Sequence, residues 1–160
     1  AHYGPAVMAA VRAGVPVVGA NLSRASMRQA MADERLDTVL PKDALARHYT
    51  AVGEGHCGLV PEARIGPMAR IQIARDRAMA QTLATAARSG GTVVLLAGSG
   101  HVDPELGVPQ HLPRGLQVEP RIWPAEAPKK DYCAELRQQM QQTQPTQQKQ
   151  PAPPPATPGR

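Results

Sequence analysis

Aromatic residues are nearly absent from this 160-residue sequence, which has no phenylalanine, one tryptophan and three tyrosines. The length is sufficient for one domain with a hydrophobic core, and that core must be built from Ala, Val, Leu, Ile and Met. Few aromatics also means few platforms on which nucleic-acid bases can stack. The basic residues behind the net charge of +5 are scattered rather than clustered, so we predict no nucleic-acid partner.

Cysteines, membrane spans and export signals are equally scarce. Cys57 and Cys133 are the two cysteines, and their spacing fits no zinc motif. No apolar run is long enough to cross a bilayer. The sequence does not begin with Met and shows no signal peptide, so we expect it to be a piece of a longer protein.

The apolar pattern predicts helices that alternate with short buried strands. Helices are expected over 5–13, over 23–34 with Ser23 as the N-cap, and from Pro61 to Arg88 with its start marked by Gly66-Pro67. Strands are expected at 15–22 (VPVVGANL), 92–97 (TVVLLA) and 116–124 (LQVEPRIWP). This order predicts an α/β sandwich with a largely parallel sheet flanked by helices.

The composition changes near residue 126. Residues 1–125 hold the predicted domain, whereas residues 126–160 are rich in Gln and Pro and offer little to bury. We therefore predict a disordered tail there.

Polar residues interrupt the apolar side of the long predicted helix. On a helical wheel, Arg70 falls on the solvated side, and the opposite side holds Ile65, Met68, Ile71, Met79 and Leu83. Gln72, Arg75 and Asp76 fall within that apolar side. Buried charges need partners, so these three side chains either form a structural hydrogen-bond network or line a ligand pocket.

A histidine follows the second predicted strand, in VVLLAGSGHVDPELGVP. Ligands of parallel α/β sheets bind beyond the carboxyl ends of strands, which is where His101 would lie. A nucleophile elbow centred on Ser99 needs a small residue two positions later, where this chain has His101, so an elbow is disfavoured. No phosphate-loop motif is present. His101 is therefore a metal or haem-iron ligand, a general base, or a loop histidine with a structural hydrogen bond.

A second histidine of this kind is His56, in the glycine-rich stretch GEGHCG before the long helix. The neighbouring Cys57 would either ligate a soft metal or act as a small buried apolar residue.

Four stretches together resemble the ChaN-like family, iron-regulated haem-binding lipoproteins of the haem-binding-uptake and Tiki-like superfamily. They are GVPVVGANLSR, GHC, QIARDRAMA and VVLLAGSGHVDPELGVPQHL, in this order. The resemblance covers residues 3–112 and implies an α/β sandwich. An early strand with a Gly-Glu-x-His motif is typical of the family and is not found here, so the domain would be incomplete at its N-terminus.

The resemblance also implies a ligand and a set of site residues. The family's recurring polar positions match His56, Gln72, Arg75, Asp76 and His101, with His56 and His101 as metal ligands. Haem is the implied cofactor, held in some members by a homodimer through tyrosine, for which Tyr3 and Tyr49 are candidates. The implied location is the periplasmic side of the outer membrane, through a lipid anchor missing from this chain, where Cys57 and Cys133 would be able to pair.

Two functions follow from these observations. The first is a haem-binding protein of the cell envelope in iron or haem uptake, with its pocket at the carboxyl ends of the strands. The second is a metal-dependent hydrolase of the same superfamily, in which His56 and His101 hold a divalent metal ion or act as a base.

Overall fold

Helices are the regular structure of this protein. The structure, a computed structural model, describes residues 3–88, 90–124 and 130–143. Among these residues the α-helices are α1 (Gly4–Arg12), α2 (Arg24–Ala32), α3 (Lys42–Gly55), α4 (Glu62–Ala87), α5 (Ser99–Val102) and α6 (Tyr132–Thr143). Two 3-10 helices, Glu34–Thr38 and Val108–His111, lie between α2 and α3 and after α5.

The predicted α/β sandwich is wrong, because no described residue lies in a β-strand. All three predicted strands, at 15–22, 92–97 and 116–124, lack regular strand structure. A strand requires a neighbour for its backbone N–H and C=O groups, and no backbone hydrogen bond joins these segments within the described residues. The described residues therefore contain no strand ends at which the predicted pocket would lie.

The predicted strands instead pack a few side chains against α4 and expose the others. Leu95 and Ala97 contact the buried cluster of Met79, Ala80 and Val108. Leu96, which lies between them, is 49% exposed, and Val94, which precedes Leu95, is 75% exposed.

The core is built from small and aliphatic residues, as the composition predicts. Its buried apolar members are Ala30, Leu36, Leu40, Ala44, Val52, Ala69, Ile73, Met79, Ala80 and Val108. α4 is the central element: it contacts α2, α3 and both 3-10 helices. The single tryptophan, Trp123, is 78% exposed.

Local sequence explains where the helices begin. The Ser23 side chain accepts a hydrogen bond from the Ser26 N–H at 3.1 Å, which confirms the predicted N-cap of α2. α4 begins at Glu62, earlier than the predicted start at Gly66-Pro67, and contains Pro67 within its second turn. Alanine, arginine and glutamine, strong helix formers, dominate the rest of α4.

The chain divides into two units, Ala1–Pro124 and Ala125–Arg160. In the second unit α6 occupies Tyr132–Thr143, where the sequence predicts disorder. The Asp131 carboxylate accepts the Ala134 N–H at 2.9 Å, and Lys130 pairs with Glu135 at 3.1 Å; both contacts stabilise the first turn of a helix. The remaining residues of the predicted tail, 126–129 and 144–160, lie outside the described residues.

Two further findings bear on expectations from the sequence. Neither Cys57 nor Cys133 is a free thiol. Within the described ranges, no helix combines the length and the apolar character that crossing a membrane requires.

Candidate functional site

Asp76 and His101 form the centre of the candidate site. Asp76 lies in the middle of α4, on the buried line of Ala69, Ile73 and Ala80, and its side chain is 1% exposed. The His101 Nδ1–H donates to its Oδ1 at 2.6 Å, and the His101 side chain is 14% exposed. A carboxylate only accepts hydrogen bonds, so Nδ1 is the donor in this bond and Nε2 takes no part in it.

The segment after His101 folds back as a compact turn. The Asp103 carboxylate accepts the N–H groups of Glu105 at 2.7 Å and Leu106 at 3.0 Å. From α3, the buried His48 donates its Nε2–H to the Leu106 carbonyl at 3.1 Å. The turn is therefore fixed to a neighbouring helix.

Gln72 and Arg75 form a second polar group on α4. The Arg75 guanidinium donates to Gln72 Oε1 at 2.9 Å and to Asn21 Oδ1 at 3.0 Å. These contacts tie the loop before α2 to the middle of α4. Both partners of Arg75 are neutral amides, so its positive charge is not neutralised by them.

His56 stands apart from the other predicted site residues. It follows the last residue of α3, and its Nδ1–H donates to the Val52 carbonyl at 2.8 Å. No hydrogen bond or ion pair between described side chains links it to Gln72, Arg75, Asp76 or His101. The described residues also contain no group of three or more His, Cys, Asp or Glu side chains that could hold a metal ion.

The two candidate tyrosines also lie in different surroundings. Tyr3 is 48% exposed, immediately before α1. Tyr49 lines a cavity of about 470 Å³ with Glu54 and Ile65. Neither has a hydrogen bond to His101 or Asp76 within the described part of the chain.

Sequence reasoning missed two histidines, His48 and His111. His48 is 6% exposed, on the buried side of α3 with Ala44 and Val52; its spacing from these residues is the signal that marks it as buried. His111 ends the second 3-10 helix, and its buried Nε2 has no hydrogen-bond partner among the described residues. Burial lowers the pKa of His111, the charge of Asp76 opposes this, and the charges of Arg77 and His48 add to it.

A cavity of about 1020 Å³ lies between α2 and α4. His111, Arg77, Arg35 and Asp33 line it, and none of the five predicted site residues does. The Arg35 side chain donates hydrogen bonds to Asp33, which lowers the pKa of that carboxyl.

One arginine has the opposite surroundings to those predicted. Arg70, expected on the solvated side of the long helix, has a side chain only 14% exposed. It donates to both carboxylate oxygens of Asp37, at 2.8 and 2.7 Å, and to the Met31 carbonyl at 3.3 Å. These contacts join α4 to the end of α2 and to the first 3-10 helix.

Comparison with known proteins decides the family. The family model described as "Haem-binding uptake, Tiki superfamily, ChaN" matches residues 1–112. The chain belongs to this family. The family match includes α1 to α5 and both 3-10 helices, and so contains every residue of the candidate site. No curated protein and no solved structure matches the chain.

Proposed function

We propose that this chain binds haem and that Nε2 of His101 ligates the iron. The observation that carries the proposal is the hydrogen bond from His101 to the buried carboxylate of Asp76, at 2.6 Å. Histidines that ligate metals commonly donate their other ring N–H to a carboxylate, which fixes the ring orientation and raises the basicity of the free nitrogen. Membership of a haem-binding uptake family supports iron in haem as the ligand.

The surrounding residues suit haem better than a free divalent ion. Haem needs one or two axial ligands from the protein, since the porphyrin supplies four nitrogens. A single oriented histidine fits that need, whereas a structural metal ion needs several protein donors. The described residues offer no such group, so the hydrolase alternative with His56 and His101 as joint metal ligands draws no support from them.

Arg75 is the candidate partner for a haem propionate. Its guanidinium is held by Gln72 and Asn21 and keeps its positive charge. Arginine pairs well with carboxylates because its planar group presents two parallel donors. In this proposal Gln72 orients Arg75, Asp76 orients His101, and His56 is not an iron ligand.

The wider role that we propose is haem capture at the cell envelope during iron uptake. A homodimer on the periplasmic side of the outer membrane, attached by a lipid anchor, follows from the family resemblance. Fractionation of cells that express the native gene product, with sedimentation of the purified protein, tests location and dimerisation. Recovery of the protein as a cytosolic monomer would contradict this part of the proposal.

Titration with hemin tests the binding itself. The unchanged protein should give a shifted Soret band at micromolar hemin, and His101→Ala should lose the spectrum of a histidine-ligated iron. His56→Ala serves as the comparison, since it removes an imidazole that follows α3. If His56→Ala loses the band and His101→Ala keeps it, the iron ligand is His56. If the unchanged protein gives no shift, the haem proposal fails.

A further inference from the structure

Gly107 is buried against the backbone of the candidate ligand residue. A β-carbon built on Gly107 would overlap the carbonyl group of His101 and lie 2.8 Å from the carbonyl oxygen of Gly100. Gly107 has a φ of −90°, an angle that other residues also adopt. Glycine is therefore needed here for space and not for backbone conformation.

The turn that carries Gly107 is fixed to α4 close to Asp76. Val108 is 2% exposed and packs against Met79 and Ala80, which lie three and four residues after Asp76 and hence on the same side of the helix. The Gly107 N–H donates to the Asp103 carbonyl at 2.9 Å. These contacts hold the turn against the face of α4 that presents the carboxylate to His101.

A second helix holds the same turn from another direction. His48, 6% exposed in α3, donates to the Leu106 carbonyl at 3.1 Å, and Arg47 pairs with Glu105. The backbone immediately before Gly107 is thus tied to α3, and the backbone after it packs on α4. Little freedom remains for the turn to move away if a side chain is introduced at Gly107.

We propose that Gly107 is a positioning residue for the ligand site: its lack of a side chain lets the turn 103–108 press on the His101 backbone, so that the imidazole meets Asp76. A methyl group at this position would displace the His101 carbonyl and lengthen or break the bond to Asp76. The consequence for ligand affinity rests on the proposed haem function, whereas the consequence for the His101–Asp76 bond does not.

The test compares Gly107→Ala with Gly100→Ala in the full chain. Gly100 adjoins His101, yet a β-carbon there would meet nothing within 4 Å, which makes it the matched control. In the ligand-free protein, the NMR resonance of the His101 Nδ1–H bound to Asp76 should persist in Gly100→Ala and disappear or shift in Gly107→Ala. With hemin, Gly107→Ala should bind about 10- to 100-fold more weakly, the loss typical when a residue that orients a metal ligand is removed.

A second pair of variants keeps the proposal testable if Gly107→Ala does not fold. His48→Leu removes the donor to the Leu106 carbonyl, and His48→Gln retains a side-chain N–H. We expect the His101 resonance to change in His48→Leu and to be restored at least in part by His48→Gln. If folded Gly107→Ala keeps the His101 resonance and the hemin affinity of the control, or both His48 variants match the unchanged protein, the proposal is overturned. If the unchanged protein does not bind hemin, the haem function is wrong, but the NMR comparison still tests whether Gly107 positions His101.

Discussion

A carboxylate buried in the middle of a helix is costly unless its partner compensates for the lost hydration. Asp76 is 1% exposed, and its one hydrogen bond from a described side chain comes from His101. The fold therefore maintains this polar pair at the expense of an apolar contact. In the proposed function, the carboxylate of Asp76 makes the imidazole of His101 more basic and hence a stronger iron ligand.

Replacement of this carboxylate tests that effect directly. Asp76→Asn keeps the shape of the side chain and removes the charge, so the free nitrogen of His101 should become a weaker ligand. We expect hemin affinity to fall by about 10- to 100-fold, measured by Soret titration. Asp43→Asn, which changes an exposed carboxylate in α3, is the control. Equal affinities of the two variants would show that the bond to Asp76 does not tune the ligand.

His111 makes a separate prediction about stability and pH. Burial lowers its pKa below the ordinary value of 6.5, which the unfolded chain retains. Below about pH 6.5 the unfolded state therefore binds the proton first, and the free energy of unfolding falls as the pH falls towards the pKa of the folded state. Well above pH 6.5 both states are neutral at His111, and it contributes no pH dependence.

Urea unfolding of the unchanged protein and of His111→Gln at about pH 7.5 and at about pH 5 measures this contribution. The variant should lose less stability on acidification, because glutamine does not titrate. An identical loss in the two proteins would mean that the pKa of His111 is not lowered by folding.

At the scale of the elements, the Arg70–Asp37 pair fixes α4 to the first 3-10 helix. The two hydrogen bonds are parallel and partly shielded from water, with side chains 14% and 28% exposed. The bond to Asp37 raises the pKa of Arg70. Only arginine offers this paired geometry.

We predict that Arg70→Met lowers the free energy of unfolding by about 1.5–3 kcal/mol, the range for hydrogen bonds to charged groups. The free energy of unfolding of Arg70→Lys should lie between those of the unchanged protein and Arg70→Met, since a lysine cannot make both bonds to Asp37. Arg35→Met is the matched control, because Arg35 pairs with Asp33 at the surface with a side chain 91% exposed. If urea unfolding gives equal losses for Arg70→Met and Arg35→Met, the shielded pair is not what stabilises this junction.

The contrast between α4 and the predicted strands shows what the sequence determines locally. A helix satisfies its own backbone groups, so the alanine-rich periodic sequence was enough to predict α4 and its end near Arg88, although the helix begins before the predicted start at Gly66-Pro67. A strand depends on a neighbour, and the runs around Val18 and Val94 contain no information about whether a neighbour pairs with them. The same limit applies to Arg70, whose burial depends on Asp37, 33 residues away.

At the scale of the whole molecule, composition predicted the make-up of the core and the motifs predicted the family. The helical wheel singled out Asp76, and the position after the predicted strand singled out His101. The structure shows that the two side chains share a hydrogen bond. His48 and His111 were missed because their importance comes from packing against the turn that follows His101. The sequence prediction grouped His56 with His101 because of its glycine-rich surroundings, whereas in the structure His56 makes only a local bond, to the Val52 carbonyl.

The net charge of the whole chain leads to a prediction about the rate of haem binding. At +5 the protein attracts an anionic ligand over distances comparable to the Debye length, about 10 Å at 0.1 M salt. Stopped-flow association with monomeric hemin should therefore slow by about tenfold between about 20 mM and about 500 mM salt. Hemin dimethyl ester, which lacks the propionate charges, should show little change, and Arg75→Gln should weaken the salt dependence for hemin. The same salt dependence for hemin and its ester would mean that charge does not guide the ligand, and that Arg75 meets no propionate.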